Sequence, residues 1–369
     1  MQARLPTVAR SAKVGLRRLP SRATVGRRAT QRAQRVEGRV RIHVSALHHQ
    51  IRRTIQKHGL CPAGSRLLVG LSGGSDSVAL VLLLQELAHH DAFTVVSLAH
   101  LNHRLRCTAA RDEQFCRDFA ARVGLPMVVE SIDVGSYAQT QRLSVEDAAR
   151  RLRYDFLHRV AKSSSADRLV VGHTRDDQAE TFLLKLIRGA GLTGLGGIYP
   201  RRGIVVRPLL DVGRTDLRRY LESKSQSWVD DETNEDLANP RNRIRHRVLP
   251  ELDLAAGAAA GPAIARAAAI GREDGQWLDE LGSRRFDALI AQGNTGLEID
   301  VSGLLAEPPP LRRRVVLAAL RLAAPNREIG FDHVEAALEV AAGEMAGVDV
   351  PGTRVELRRG KMVLLRETR

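Results

Sequence analysis

Six residues, Ser72-Gly73-Gly74-Ser75-Asp76-Ser77, stand between an apolar run, Leu67 to Leu71, and a helical pattern, Val78 to Leu87. A strand, a tight glycine turn and a helix start in that order admit few folds. Such a turn aims backbone N–H groups and the positive end of a helix at one point beyond a sheet edge, the geometry that cradles phosphate. Gly73 and Gly74 let the backbone approach an anion closely. Ser72, Ser75 and Ser77 add hydroxyl donors, and Asp76 is placed to hold a metal ion on the phosphates. The Gly-Lys-Ser/Thr ending of a Walker A loop is absent from the segment. Six residues alone would equally suit a Gly/Ser turn with Asp as a helix cap. The downstream pattern decides against that.

From residue 66 the chain alternates two periodicities. Apolar runs at 66–71, 94–99, 126–132 and 168–172 are short and rich in Val, Leu and Ile, as buried parallel strands are. Helical patterns lie between and after them at 76–88, 111–123, 145–161 and 177–188, with a lead-in helix at 43–58. A fifth strand around 204–207 and a helix at 214–224 complete the set. The fold expected is α/β, a doubly wound parallel sheet that binds ligands at the carboxyl ends of its strands. Helix 145–161 turns Val145, Ala148, Ala149, Leu152, Phe156 and Val160 inward, and Ser144 and Asp147 have capping spacing at its start. After Pro250 the composition shifts to Ala and Gly, then a Pro-Pro-Pro break, an Arg-rich helix at 311–322 and two short strands around Arg359-Gly360-Lys361. That part is a smaller, mostly helical C-terminal domain, giving divisions at 1–42, 43–250 and 251–369.

Charge is unevenly placed. The chain carries +15 formally, of which +10 lies in residues 1–40, leaving +5 on the other 329. A uniform nucleic-acid-binding surface is therefore not implied. Arginine outnumbers lysine 51 to 6, a bias in usage that forbids reading every arginine as a phosphate ligand. Aromatic residues are 4% of the chain, too few for a base-stacking platform. The Arg-rich start lacks the apolar core of a secretory signal and is expected to be a disordered basic extension or an upstream start-site artefact. Cys61, Cys107 and Cys116 form no CxxC pair, which points to a reducing, cytoplasmic setting without zinc or iron–sulfur ligand sets. No apolar stretch approaches a membrane span.

Four further segments could carry chemistry. His173 to Thr181 follows the strand at 168–172, so it shares a sheet edge with the glycine turn. Asp177 and Glu180, three apart on the following helix, could bind an ammonium group or a metal, although Thr174 and Asp177 also have capping-box spacing. His100, Asn102, His103, Arg104 and Arg106 follow the second strand, suited to adenine or ribose contact or to plain solvation. Gly189 to Gly194 matches G-x-G-x-x-G but follows a helix, so it is no dinucleotide loop; a flexible hinge or a substrate-facing loop is expected. Asn239 to Arg247 holds four arginines, either a solvated helix face or a phosphate contact.

In this order the blocks resemble the tRNA(Ile)-lysidine synthetase family. Leu71 to Ser77 is similar to its PP-loop, shared with other ATP pyrophosphatases. The His100–Arg106 block, Glu146 to Tyr154, His173 to Thr181, Arg188 to Leu195, Arg207-Pro208-Leu209-Leu210 and Arg241 to Arg245 resemble its further motifs, so coverage runs from about 65 to 250. The resemblance implies ligation of free L-lysine to cytidine in the CAU anticodon of an isoleucine tRNA, using ATP and Mg²⁺, through an adenylated base. It implies that Ser72, Gly73, Gly74, Ser75, Asp76 and Ser77 bind the pyrophosphate part of ATP, with Mg²⁺ near Asp76 and its other ligands open. Asp177 and Glu180 would recognise lysine, a carboxylate or His173 would accept its proton, and Arg153 and Arg245 would stabilise phosphate charge or position RNA. The C-terminal part would bind tRNA, and about 120 residues after the junction match the shorter architecture of the family. Assembly stays open, a homodimer included. A PP-loop tRNA thiolase and a non-catalytic nucleotide-binding module are the competing readings.

Overall fold

A computed structural model describes residues 44–104, 108–230, 235–293, 296–325 and 327–366. The basic extension expected over 1–42, Arg106 and Cys107 lie outside them. A first helix, α1, covers 44–57. Then follow β1 (Arg66–Gly70), α2 (Ser75–Asp91), β2 (Thr94–Asn102), α3 (Ala109–Arg122), β3 (Met127–Ser131), α4 (Val134–Gln141), α5 (Val145–Ser163), β4 (Arg168–Val170) and α6 (Arg175–Ile187). A one-turn helix α7 (Leu192–Leu195), β5 (Arg201–Arg202), β6 (Val205–Val206) and α8 (Arg214–Ser223) finish the sheet domain. Strand order is β3-β2-β1-β4-β6-β5, parallel throughout except for the edge strand β5.

β1 is central because both its faces are apolar. Leu67 and Val69 join a core with α1, α2, α3 and α8, while Leu68 joins Phe156, Leu157 and Val160 of α5 on the other side. α2 is apolar on every face, with Val78, Leu80, Val81, Leu83, Leu84 and Leu87 all buried. Such a helix belongs inside, each leucine contributing roughly 1.5–3 kcal/mol of burial. Ser144 caps α5 as the spacing predicts, its Oγ accepting from the Asp147 N–H at 3.1 Å. Val145, expected on the inner face, is instead half exposed.

One close backbone approach and one side-chain hydrogen bond bring the carboxyl edge of the sheet together. A Cβ on Gly172 would lie 3.2 Å from the Asp76 carbonyl oxygen, so the chain leaving β4 meets the first turn of α2 directly. His100, at the end of β2, is buried and donates from Nδ1 to the Leu71 carbonyl at 2.9 Å, tying the glycine turn to the neighbouring strand.

The chain continues through α9 (Pro240–Arg243), a π-helical turn (Ile244–Val248), α10 (Leu249–Ala256) and the long α11 (Ala260–Leu289). At 30 residues α11 spans about 45 Å. Beyond it lie β7 (Ile290–Gln292), β8 (Gly296–Asp300), α12 (Val301–Ala306), α13 (Pro309–Ala323), α14 (Phe331–Ala342), β9 (Gly347–Val350), β10 (Thr353–Arg358) and β11 (Lys361–Arg366). The helices cover a five-stranded antiparallel sheet, β7-β8-β11-β10-β9, around a second core that includes Val315, Val316, Leu320, Val340 and Leu364. Only the last hairpin of that sheet is legible in sequence; β7, β8 and β9 are too short to show a period. Among the described residues no single helix is long and apolar enough to cross a membrane.

His58 and His100 both have pKa values held below the ordinary 6.5, burial being the largest cause for each. Folding therefore favours their neutral forms, while the unfolded chain takes up their protons more readily as pH falls. Stability contributed by their neutral burial is present above that pH and is lost as pH falls. The urea midpoint should drop between about pH 7.5 and about pH 5.5, and less so in a His58→Gln, His100→Gln double variant. An unchanged midpoint across that interval would mean both rings are solvated.

Candidate active site

The glycine turn is shaped by its own side chains. Gly73 takes φ +88°, and a Cβ there would press on Cys116 Sγ at 3.2 Å, so glycine is required twice over. Ser77 Oγ accepts from the Ser72 N–H at 3.1 Å and donates to the Gly74 carbonyl at 3.0 Å, closing the turn on itself. Val229 N–H bonds the Gly73 carbonyl at 2.9 Å from outside. Gly74 is the N-cap of α2 and offers no side chain to its first N–H groups, which leaves them for an anion.

Asp76, in the first turn, takes the Ser75 hydroxyl at 3.2 Å and Arg214 Nε at 3.0 Å. Arg214 opens α8 and reaches across the sheet edge. Its Nη2 meets Asp177 Oδ1 at 3.2 Å and its Nη1 lies 3.8 Å from Glu180 Oε1. One guanidinium thus bridges the loop carboxylate to both acids of α6. Burial would lower the Arg214 pKa, but Asp76, Asp177 and Glu180 outweigh it and hold it above the ordinary arginine value. Burial lifts the Asp76 carboxyl above the usual range, Arg214 opposing and Asp177 adding to the rise.

Asp177 and Glu180 are not equivalent. Thr174 and Asp177 form the capping box their spacing predicts: Asp177 Oδ2 accepts the Thr174 N–H at 2.8 Å and hydroxyl at 2.9 Å. The other oxygen, Oδ1, faces Arg214, so the cap and the charge cluster share one carboxylate. Burial disfavours its ionised form, yet Arg214 and the Thr174 amide keep its pKa below the ordinary range. Glu180 has no exposed surface. Arg245 grips it from two nitrogens, Nε to Oε1 at 2.7 Å and Nη2 to Oε2 at 3.1 Å, and Arg241 Nε stands 3.3 Å from Oε2. Asp177 is the acid an incoming ligand can meet; Glu180 acts beneath it, through arginines.

The arginine run therefore divides. Asn239 caps α9 by accepting from the Arg241 N–H at 2.8 Å, and Arg241 and Arg245, four apart, share the face turned to Glu180. Arg243, His246 and Arg247 stay exposed. Arg153 is exposed on α5 and lies over Tyr154, its guanidinium 5.9 Å from the ring centroid. Its charge still reaches His173 across the site mouth.

His173 takes a defined tautomer. Arg207 Nε, always protonated, donates to His173 Nδ1 at 3.2 Å, so the neutral ring carries its proton on Nε2. Burial first, then Arg207, Arg153 and Arg241, hold its pKa well below 6.5. The Nδ1 lone pair of His173 is thus engaged by Arg207, so that of the two expected proton acceptors the carboxylates remain. Arg207 is itself buried and further anchored to the Tyr199 carbonyl at 2.8 Å and Tyr154 Oη at 3.3 Å.

The structure brings the loop, Asp76, Asp177, Glu180 and Arg245 together through Arg214, with His173 and Arg153 at the rim. Arg214 is absent from the sequence reading, since an arginine opening an amphipathic helix carries no local signal of its partners. Mg²⁺ is held through one or two carboxylates with phosphate oxygens and water. Asp76 fits that role, being partly exposed beside the anion cradle with only a hydroxyl on Oδ1. Cys61 and Cys116 are buried thiols that burial pushes up to about 12, so neither supplies a thiolate.

Residues 43–252 match a protein-family model described as a PP-loop domain. The tRNA(Ile)-lysidine synthase of Geobacter sulfurreducens is 40% identical over 301 residues, covering 79% of this chain and 63% of the relative. That of Chlorobaculum tepidum is 34% identical over 304 residues, covering 80% of this chain and 91% of the relative. The chain thus spans less than two thirds of the Geobacter relative's length and nearly all of the Chlorobaculum one. Among solved structures, the U34-tRNA thiolase NcsA from Methanococcus maripaludis with its 4Fe-4S cluster superposes with a TM-score of 0.53 at 16% identity. The match covers 64% of this chain and 79% of that one and concerns the fold alone.

Removing Glu180 takes from Arg245, Arg241 and Arg214 the fully buried carboxylate they share. Glu180→Ala should lower the unfolding free energy by about 3 kcal/mol in urea denaturation. A loss below about 1 kcal/mol would mean that water solvates Arg245 and Arg241 without it.

Proposed function

Because the chain belongs to the tRNA(Ile)-lysidine synthase family, we propose that it joins free L-lysine to C2 of the first anticodon cytidine in a CAU-anticodon isoleucine tRNA, in the cytoplasm, with ATP as activator. In the first step the C2 oxygen attacks the α-phosphorus of ATP, the bond to the β-phosphate bridging oxygen breaks, and pyrophosphate leaves. In the second the lysine amine bonds to C2, the C2–oxygen bond breaks, and AMP leaves with that oxygen. The product pairs with A instead of G, and the tRNA is charged with isoleucine rather than methionine.

The observation that carries this reading is the Arg214 bridge. It makes the phosphate cradle and the acids of α6 one site, as a reaction that uses a nucleotide and an amino acid in succession requires. The glycine turn and Ser72, Ser75 and Ser77 receive the pyrophosphate portion by N–H and hydroxyl donation. Mg²⁺ held by Asp76 screens charge on the phosphates when bound. Asp177 meets the substrate's ammonium group, displacing one arginine contact, while Glu180 fixes Arg245 and Arg241 below it. His173 Nε2–H and Arg153 donate toward developing negative charge on the AMP side. The amine proton passes to a carboxylate, because the Nδ1 lone pair of His173 is already taken by Arg207. Exposed Arg150, Arg153, Arg243 and Arg247, with the second domain, offer phosphate contacts to the RNA. Transfer of sulfur through Cys61 or Cys116 is disfavoured by their burial as protonated thiols.

Incubation with CAU-anticodon isoleucine tRNA, ATP, Mg²⁺ and labelled lysine should yield labelled lysidine on nucleoside mass spectrometry, with AMP and pyrophosphate formed in step. Asp76→Ala should reduce that yield by about a hundredfold or more with the melting curve preserved. Tight ATP binding without turnover on authentic tRNA would favour a non-catalytic module, and sulfur in the nucleoside would favour the thiolase.

A further inference from the structure

The segment Gly189 to Gly197 is expected to be a hinge or a substrate loop; its first half, through Thr193, is largely exposed, whereas Gly196 and Gly197 are buried between α6 and α11. Gly196 and Gly197 are contact surfaces. A Cβ on Gly197 would lie 2.7 Å from the Gln178 amide of α6, and one on Gly196 would lie 2.9 Å from Arg272 Cβ of α11. From the α11 side, a Cβ on Gly275 would lie 3.2 Å from the Thr193 backbone. Polar groups then lock what the glycines admit. Gln178, buried and flanked in sequence by Asp177, accepts the Ile198 N–H at 2.7 Å and donates to the Gly196 carbonyl at 3.2 Å. Arg272, also buried, donates from Nη1 to that same carbonyl and to the Ile198 carbonyl, both at 3.1 Å.

A second path leaves the same arginine. Arg272 lies over the Tyr199 ring, 5.9 Å from its centroid; the Tyr199 carbonyl accepts from Arg207, and Arg207 sets the His173 tautomer. At the far side, Asp279 of α11 accepts from Arg314 of α13 at 2.8 Å and from the Thr193 hydroxyl at 3.2 Å. α11 is therefore held to the second core and to the active-site edge by the same face. A cavity of about 20 Å³ beside Gln178, Arg272, Thr54 and Asp211 has room for about one water, so the contact is not packed solid.

We propose that the glycine segment is a joint through which the second domain sets the position of the acids on α6, with Gln178 and Arg272 as its positioning residues. Its RNA-dependent part rests on the function proposed above; the mechanical part does not. Displacing α11 moves the Gly196 and Ile198 carbonyls, Gln178 follows them, and Asp177 and Glu180 ride on the same helical turn. Engagement of RNA by the second domain would thus be felt where lysine is captured.

Hydrogen–deuterium exchange on the full chain tests the joint without any ligand. Arg272→Met should speed exchange about tenfold across 192–199 and also across 174–181, leaving β1 and α2 unchanged, with Arg272→Lys intermediate. Acceleration confined to 192–199, or spread evenly over the chain, would overturn the proposal. In the ligation assay Arg272→Met should raise the KM for lysine about tenfold while the Kd for tRNA stays within about twofold. An unchanged KM for lysine would overturn the RNA-dependent part. A wild-type chain that makes no lysidine yet shows the expected exchange pattern would remove the functional reading and leave the joint standing.

Discussion

Three carboxylates from two helices, Asp76, Asp177 and Glu180, meet at the dry end of a parallel sheet, and only interleaved guanidinium groups make that tolerable. An isolated buried carboxylate would protonate or unfold its surroundings. Arg214 touches all three acids, and Arg245 and Arg241 enclose the most buried one. These arginines come from α8 and from the turn at 241–245, well after the sheet strands in sequence. The site is therefore complete only once the chain has passed the sheet and folded back over its carboxyl edge. The guanidinium groups that pair with the acids stand where cationic ligands would arrive, so ligand entry is an exchange of one cation for another.

Backbone proximity is the second constraint, and glycine supplies it at two kinds of place. In the phosphate turn, Gly73 is needed for a positive φ and for lack of a side chain against Cys116. At Gly172 and Gly196 no positive φ is required; what matters is that two elements meet with no side chain between them. The first use serves an anion, the second serves rigidity. A glycine-rich segment is commonly taken as flexible, but Gln178 and Arg272 convert this one into a buried, hydrogen-bonded contact.

Histidine and cysteine show how burial narrows chemistry. His173 looks like a base by residue type, yet its Nδ1 is an acceptor already in use and its ring is kept neutral. Cys61 and Cys116 look like sulfur carriers by residue type and are core residues by environment. The fold shared with a U34-tRNA thiolase does not transfer that enzyme's chemistry, since chemistry resides in the side chains a fold presents.

Periodicity and turn chemistry are local, so the chain states them openly. The run Leu67 to Leu71, the glycine turn and the apolar α2 announce a strand, an anion cradle and a buried helix, and the N-caps at Ser144 and Thr174 mark where helices begin. The ordered motifs likewise name the family from residues alone. What pairs with what is a property of distance in space. That Asp177 keeps a small exposed surface while Glu180 is sealed, that Arg214 is the bridge, that Arg241 and Arg245 turn inward while Arg243 and Arg247 do not, and that Gly196 locks onto α11 all depend on contacts between residues tens of positions apart. Hydrophobic pattern decides which elements form; Coulomb pairing and backbone approach, felt only after those elements pack, decide which side chains can act.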